Sequence, residues 1–214
     1  LAGVALLSRV QEDFEPGPPS ERRGFFPTHL IVPGLAVGFV NVHFPVIAGF
    51  LVLHLAHAGN SGPKAFSAYA IVILFSRFFL GGLPDRIAPA ITFYFGISSM
   101  AVGLLLLSTT PGPVVAVAAA GLLGLGFSFP WSSIVSTVLR RLPQNERGSA
   151  VGFLSMFYDL FVGGSSFTAG LVADRFGYTA TFIMASVALI GAAAMGRMVF
   201  FAKAEKEVQE TAVA

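Results

Sequence analysis

The longest uncharged stretch of this chain constrains its fold more than any other feature. Residues Ile87 to Leu139, 53 in all, contain no Asp, Glu, Lys or Arg. A helix rises about 1.5 Å per residue and the hydrocarbon core of a bilayer is roughly 30 Å thick, so the stretch is too long for one crossing. Thr109 to Pro113, rich in proline and glycine, is where the chain can turn back. The stretch therefore predicts two consecutive membrane spans.

The composition extends this prediction to the whole chain. Of its 214 residues 55% are hydrophobic and only 11% are charged, and the mean hydropathy of +0.78 is too high for one soluble core. The absence of Cys excludes disulfides and thiolate metal sites. Motifs of zinc proteases, phosphate loops and serine hydrolases are missing. We expect an all-α membrane protein with no catalytic residues, metal, cofactor or nucleic-acid partner.

Apolar runs separated by polar segments predict six transmembrane helices. Their approximate bounds are 30–55, 66–83, 90–108, 113–139, 148–172 and 179–201. The apolar stub 1–8 is interpreted as the tail of a truncated preceding helix, which would make the chain a fragment. Residues 9–29, broken by prolines and mixed in charge, are expected to link two bundles, and 202–214 to form a polar tail.

The basic residues predict how the six spans are oriented. Six crossings put the linker, the loops after spans two and four and the tail on one side, which receives eleven of the thirteen Lys and Arg residues. Lys64 and Arg175 alone fall on the other side. Because Lys and Arg are enriched in cytoplasmic loops, both ends of the chain are expected to be cytoplasmic.

A short motif occurs twice. Gly81 to Arg86 and Gly170 to Arg175 share the pattern Gly-x-x-x-Asp-Arg, 89 residues apart. The copies end spans two and five, three crossings apart, so they are predicted to lie on opposite faces of the membrane. This is the arrangement of a 3+3 inverted repeat, which builds secondary transporters around a mid-membrane site.

Three loops resemble those of the major facilitator superfamily. Gly81-Gly82-Leu83-Pro84-Asp85-Arg86 is similar to the loop after helix eight of that family. The segments 142–148 and 173–178 are similar to the loops after helices ten and eleven. The resemblance covers about 30–201 and implies the C-terminal bundle of such a transporter, closest in type to bacterial arabinose-efflux-like and drug-efflux permeases.

The resemblance also implies a function and a location. The chain would move a small-molecule substrate by alternating access, as proton-coupled efflux of a drug or sugar-like solute, together with a missing N-terminal six-helix half. Its place would be the inner (plasma) membrane. Gly81, Asp85 and Arg86 would form a gating motif in which Asp85 latches the cytoplasmic side shut, although Ala88 and Pro89 depart from the family pattern.

Asp159 is the most informative residue inside a predicted span. It lies about 16 Å into the bilayer by helix rise, and acids at such depth are costly and usually functional. It is expected either to couple protons or bind substrate, or to form a static pair with Arg77 of span two, which lies at a similar depth. Arg77 could instead extend its side chain to the headgroups.

Other polar residues are predicted to line the cavity or to have structural roles. Asn41 and His43, midway along span one, would relay protons, bind substrate or bond to another helix. Trp131 would line the cavity or anchor span four at the interface, and Tyr158 adjoins Asp159. His54 and His57 are expected to be solvated near the outer surface.

Glycines of spans four and five are expected to allow close helix contact. They are Gly121, Gly124, Gly126, Gly163, Gly164 and Gly170. The alternative to a transporter is a structural or channel-forming six-helix membrane subunit without coupled transport.

Overall fold

The computed structural model describes residues 27–80 and 87–213, with side chains as far as Phe201. The predicted helix tail and most of the predicted linker, residues 1–26, lie outside the described residues. So do Gly81, Asp85 and Arg86, the predicted gating motif.

The described residues form helices and contain no strand. Six of these helical segments are long and apolar enough to cross a membrane, which confirms the predicted all-α membrane fold. We number them spans 1 to 6: Thr28–His57, Gly62–Leu80, Pro89–Ser108, Pro113–Arg140, Gln144–Phe176 and Tyr178–Phe201. The last helix continues to Val213.

Proline and glycine set several of the span boundaries. Pro89 and Pro113 occupy the first turns of spans 3 and 4, where the missing N–H has no helical partner to lose. Gly59 and Gly177, with φ of 71° and 80°, adopt the left-handed conformation just after spans 1 and 5. These four residues therefore have backbone preferences that suit the boundaries they form, whereas Thr110, in the turn between spans 3 and 4, has a positive φ of 49° that is uncommon for a β-branched residue.

Spans 1 and 4 are each broken into two helices. Span 1 consists of Ile31–Asn41 and His43–His57, and span 4 of Pro113–Phe127 and Pro130–Arg140. The break in span 4 follows from Pro130, which has no N–H and whose ring would clash with the preceding turn of a continuous helix. The shorter segment has 11 residues in both spans and lies toward the same end of the bundle, so the two breaks are at similar depth.

The packing of the spans repeats in an inverted order. Span 2 packs on span 4 as span 5 packs on span 1, and span 3 packs on span 4 as span 6 packs on span 1. Spans 3 and 6 pack on each other. Exchanging spans 1 to 3 with spans 4 to 6 leaves these five contacts unchanged, as an inverted repeat predicts, whereas within the described residues spans 5 and 6 pack on each other and spans 2 and 3 do so much less.

Glycines permit one of the two pairs of contacts that this exchange relates. We call the contact of spans 1 and 5 the 1–5 seam and the contact of spans 2 and 4 the 2–4 seam. In the 1–5 seam, Gly34 and Gly38 of span 1 lie against the rings of Phe157 and Phe161. In the 2–4 seam, Gly124 lies against the backbone carbonyl of Tyr69. Small residues let membrane helices approach closely, and both seams use them in this way.

The predictions for individual glycines had different outcomes. Gly124 and Gly126 make close backbone contacts, and Gly121 lies at ordinary distance from Val72, so close packing is confirmed in span 4. The prediction is wrong for Gly163, Gly164 and Gly170 within the described bundle, because a Cβ atom at any of them would meet nothing within 4 Å. This face of span 5 points away from the other described spans.

The end of the bundle that carries Asn60 is held together by polar contacts. The prediction that His54 is solvated is wrong: it is 3% exposed, and its Nε2–H donates to the carbonyl of Leu107 at 2.9 Å. The carbonyls of a helix's last turn lack partners within the helix, which explains why span 3 ends on a buried donor. Asn60 donates similarly to Pro111 at 2.8 Å. His57 is exposed, as predicted.

Candidate solute cleft at the two helix breaks

A cleft of about 600 Å³ lies where spans 1 and 4 are broken. Spans 2 and 5 complete its walls, so four of the six spans contribute. The volume is in the range of sites that hold one small molecule. The residues that line it are Val37, Val40, Asn41, Arg77, Phe127, Ser128, Pro130, Trp131, Ser132, Ser155, Tyr158 and Asp159.

Two side chains of opposite charge line this cleft. Arg77 comes from span 2 and Asp159 from span 5, and both are exposed in the bundle. The guanidinium carbon of Arg77 lies 5.9 Å from the centroid of the Phe127 ring, within the range of a cation–π contact. Among the residues that the structure describes, the two charges do not form an ion pair with each other. The structure thus brings them to one cavity without neutralising them.

Asn41 ends the first helix of span 1 and is 2% exposed. Its Nδ2 donates to the carbonyl of Val37 at 2.8 Å, which leaves Oδ1 as the acceptor. This Oδ1 receives no hydrogen bond from any described residue. This oxygen is itself buried beneath the cleft surface, and an unsatisfied buried polar group costs about 1–3 kcal/mol.

His43 lies behind the cleft rather than on its surface. It is fully buried, its Nδ1–H donates to the carbonyl of Val40 at 2.7 Å, and its Nε2 accepts from the Tyr69 hydroxyl at 3.2 Å. Its ring lies 4.7 Å from that of Phe127. In this arrangement His43 links the break in span 1 to span 2 and to the break in span 4.

Tyr69 was not identified from the sequence. It precedes Arg77 by eight residues, about two helical turns, so the two share one face of span 2. That spacing is the signal that could have identified it, because Arg77 was already expected to face the cavity.

Trp131 lines the cleft, which is one of the two positions predicted for it. Its ring lies edge-on to that of Tyr158, with the centroids 6.2 Å apart. The contact joins the second helix of span 4 to span 5. Both aromatic side chains are half-buried, so each packs in the protein and still borders the cavity.

Serine hydroxyls near the break in span 4 add polar groups that sequence reasoning missed. Ser128 donates to the carbonyl of Gly124 and Ser132 to that of Phe129, both at 3.0 Å. Their protons are thereby used within span 4, whereas the oxygen lone pairs remain available as acceptors. Their position next to Pro130, at a break, is the signal that was available in the sequence.

The 1–5 seam determines which face of span 5 borders the cleft. Phe157 and Phe161, one turn apart, lie against Gly34 and Gly38. The ring of Phe161 also contacts that of Phe39 edge-on, with centroids 5.1 Å apart. With these two rings docked on span 1, Tyr158 and Asp159 between them are turned toward the cavity.

These features define a class of protein. Six apolar spans in an inverted repeat, with a polar cleft at two broken helices, form the architecture of a secondary transporter bundle. The model of the Major Facilitator Superfamily matches residues 21–214, and the chain belongs to that superfamily.

Curated relatives agree with this assignment. The chain is 32% identical over 164 residues to an uncharacterized MFS-type transporter of Salmonella typhimurium, covering 75% of this chain and 42% of the relative. It is 31% identical over 163 residues to one of Pseudomonas aeruginosa, covering 76% and 40%. A relative from Burkholderia mallei is 30% identical over 179 residues, covering 81% and 43%. The chain thus spans about two fifths of the length of these relatives.

Solved structures support the fold. A peptide transporter POT in complex with sulfate matches with a TM-score of 0.68 and 18% identity, over 89% of this chain and 45% of that chain. A mutant of such a transporter in complex with alafosfalin matches with a TM-score of 0.67 and 20% identity, over 86% and 40%. At these identities the similarity concerns the fold.

Proposed function

We propose that this chain forms the C-terminal six-helix half of a transporter that moves a small solute by alternating access. The observation that carries the proposal is the cleft, where two broken spans meet and where Arg77 and Asp159 do not pair with each other within the described residues. Secondary transporters bind their solutes near mid-membrane at discontinuous helices, and both breaks border this cleft. The solute would be bound between this bundle and a second one.

The exposure of spans 2 and 5 supports the proposal that a second six-helix half packs against this bundle. Of the most apolar 18 residues in each span, 17% are buried in the bundle in spans 2 and 5, against 33–50% in the other four spans. Spans 2 and 5 also carry Arg77 and Asp159. A second bundle covering these spans would close the cleft, and the greater length of the relatives leaves room for one.

Alternating access can be tested by labelling single cysteines in the full-length protein. Ser132 and Ser155 line the cleft, so Ser132→Cys and Ser155→Cys should react with impermeant thiol reagents from either side of the membrane, in proportions that solute changes. Lys64→Cys, at the exposed start of span 2, is the control and should react from one side only. Labelling of both cleft positions from one side alone, whatever the conditions, would exclude alternating access and favour a structural subunit.

We also propose that Asp159 couples solute movement to protons. Tyr158 and Arg77 border the same cleft, so the carboxylate faces one titratable hydroxyl and one fixed cation. In reconstituted full-length protein, Asp159→Asn should remove the pH dependence of the transport rate. Asp174→Asn, an exposed carboxylate at the far end of span 5, is the matched control and should retain it. An unchanged pH dependence in Asp159→Asn would contradict proton coupling.

We propose that transport is efflux from the cytoplasm and that the solute is a drug or a sugar-like compound. It rests on the resemblance of the loops to those of efflux permeases and on basic residues that would place both chain ends in the cytoplasm of a cell with an inner membrane. Inside-out vesicles with an acidic lumen should accumulate solute, because the solute enters as protons leave. Accumulation of solute only in right-side-out vesicles would show that the protein imports its solute.

For Gly81, Asp85 and Arg86 the proposed role is the cytoplasmic latch. Asp85→Asn should slow transport and leave membrane insertion unchanged, because it removes a carboxylate that would pair with a helix N-terminus, an interaction of about 0.3–1 kcal/mol when exposed. Wild-type transport by this variant would eliminate the latch.

A further inference from the structure

The charges of the cleft indicate what kind of solute it suits. Arg77 and Asp159 border one cavity and are not paired with each other within the described residues. A charge inside a membrane protein is costly unless an opposite charge compensates it. Within the described residues the cleft presents one charge of each sign, and these do not pair with each other, so it suits a solute that carries both signs.

The uncharged groups independently indicate a polar ligand. Ser128 and Ser132 border the cleft and have used their protons within span 4, so their oxygens are available only as acceptors. A solute without N–H or O–H groups would leave these oxygens without donors, which is unfavourable once a partner half excludes water.

We propose that the solute is a zwitterion. Its ammonium group would interact with Asp159, with N–H donors available for the neighbouring acceptors, and its carboxylate with the guanidinium of Arg77. A guanidinium can hold a carboxylate with two parallel hydrogen bonds, and Arg77 is already oriented by its contact with Phe127. This inference rests on the proposed transport function and narrows it, because neutral sugars and singly charged drugs would use only part of the site.

Three small probes separate the two charges in a binding experiment. They are 6-aminohexanoate, which carries both charges; 6-aminohexanamide, which carries only the ammonium; and 6-acetamidohexanoate, which carries only the carboxylate. The flexible chain lets the two ends adjust to the spacing of the side chains, and each probe fits a cleft of about 600 Å³. Dissociation constants are measured by calorimetry on the full-length protein in detergent.

For the wild-type protein we expect the zwitterion to bind at least about tenfold more tightly than either single-charge probe. The reason is that an added hydrogen bond to a charged group strengthens binding by at least about tenfold. Asp159→Asn should make the zwitterion and the acetamido probe bind equally. Arg77→Gln should make the zwitterion and the amide probe bind equally, and Arg77→Lys should keep part of the preference.

The chain offers matched controls with the same chemical changes. Asp174→Asn and Arg175→Gln alter an exposed acid and an exposed base at the far end of span 5, and should leave all three affinities unchanged. The proposal that the solute is a zwitterion would be overturned if the three probes bound the wild type equally or if none of them bound. So would one variant that weakens all three probes to the same degree, since that indicates a general structural effect.

The outcome is independent of the test of transport. The cysteine accessibility of Ser132 and Ser155 reports alternating access without reference to solute charge. Access from both sides together with no preference for the zwitterion would reject the solute class and keep the transporter. Access from one side only would reject the transporter itself.

Discussion

The 1–5 and 2–4 seams occupy equivalent places in the inverted repeat but tolerate different changes. In the 2–4 seam, a Cβ atom on Gly124 would lie 2.5 Å from the backbone carbonyl oxygen of Tyr69. In the 1–5 seam, a Cβ on Gly34 would lie 2.7 Å from the ring of Phe157, a side chain. The contact includes the Cγ atom of Phe157, so the ring must swing about χ1 to relieve it, whereas a helix backbone moves only as a unit.

The two seams occupy equivalent positions in the inverted repeat, but this difference indicates that they have separate roles. The 2–4 seam holds Tyr69, and through it His43, in a fixed position behind the cleft. The 1–5 seam holds Phe157 and Phe161, which turn Asp159 toward the cleft. We therefore expect changes in the 2–4 seam to affect stability most, and changes in the 1–5 seam to affect the site.

Gly124→Ala should have the largest effect on stability. The added methyl group meets a backbone carbonyl, so spans 2 and 4 must separate, and overpacking of this kind costs about 1–3 kcal/mol. The free energy of unfolding of the full-length protein in mixed detergent should fall by that amount. Stability equal to the wild type would show that the seam is not rigid and would remove the contrast.

Gly38→Ala should have a smaller effect on stability and a larger one on the site. The methyl group meets the ring of Phe161, which can shift, but the shift displaces the segment that carries Asp159. We expect a loss of unfolding free energy below that of Gly124→Ala, with a lower affinity for solute. A variant that loses stability like Gly124→Ala and keeps its solute affinity would reverse the assignment of the two seams.

Gly163→Ala should have the smallest effect and serves as the control for both. A Cβ at this position meets nothing within 4 Å in the described bundle, and alanine favours a helix over glycine by roughly 0.5–1 kcal/mol. The unfolding free energy should rise by no more than that. A clear fall in the full-length protein would show that a partner half packs closely against this face of span 5.

Much of the fold could be predicted because it depends on local properties. Whether a run of residues crosses a bilayer depends on its length and polarity, and the uncharged stretch 87–139 shows both. The inverted repeat was visible in two copies of one short motif. Asp159 was recognised because a carboxylate within an apolar span is conspicuous in any fold.

The wrong predictions concern contacts between spans. His54 was expected to be solvated because it lies near the end of an apolar span, but the end of span 3 and Phe182 bury it. Gly163 and Gly164 were expected in a helix contact because they are small, but no described span reaches them. In both cases, the decisive information is how neighbouring helices are rotated.

The sequence by itself determined that the chain crosses a membrane six times and carries an acid and a base within its apolar spans, because hydropathy is a property of consecutive residues. Tertiary structure alone decided that Asn41, Arg77 and Asp159 border one cleft and that His43 lies behind it. These residues belong to different spans. Their meeting depends on helix crossings set by glycine contacts between segments distant in the chain, which no local pattern specifies.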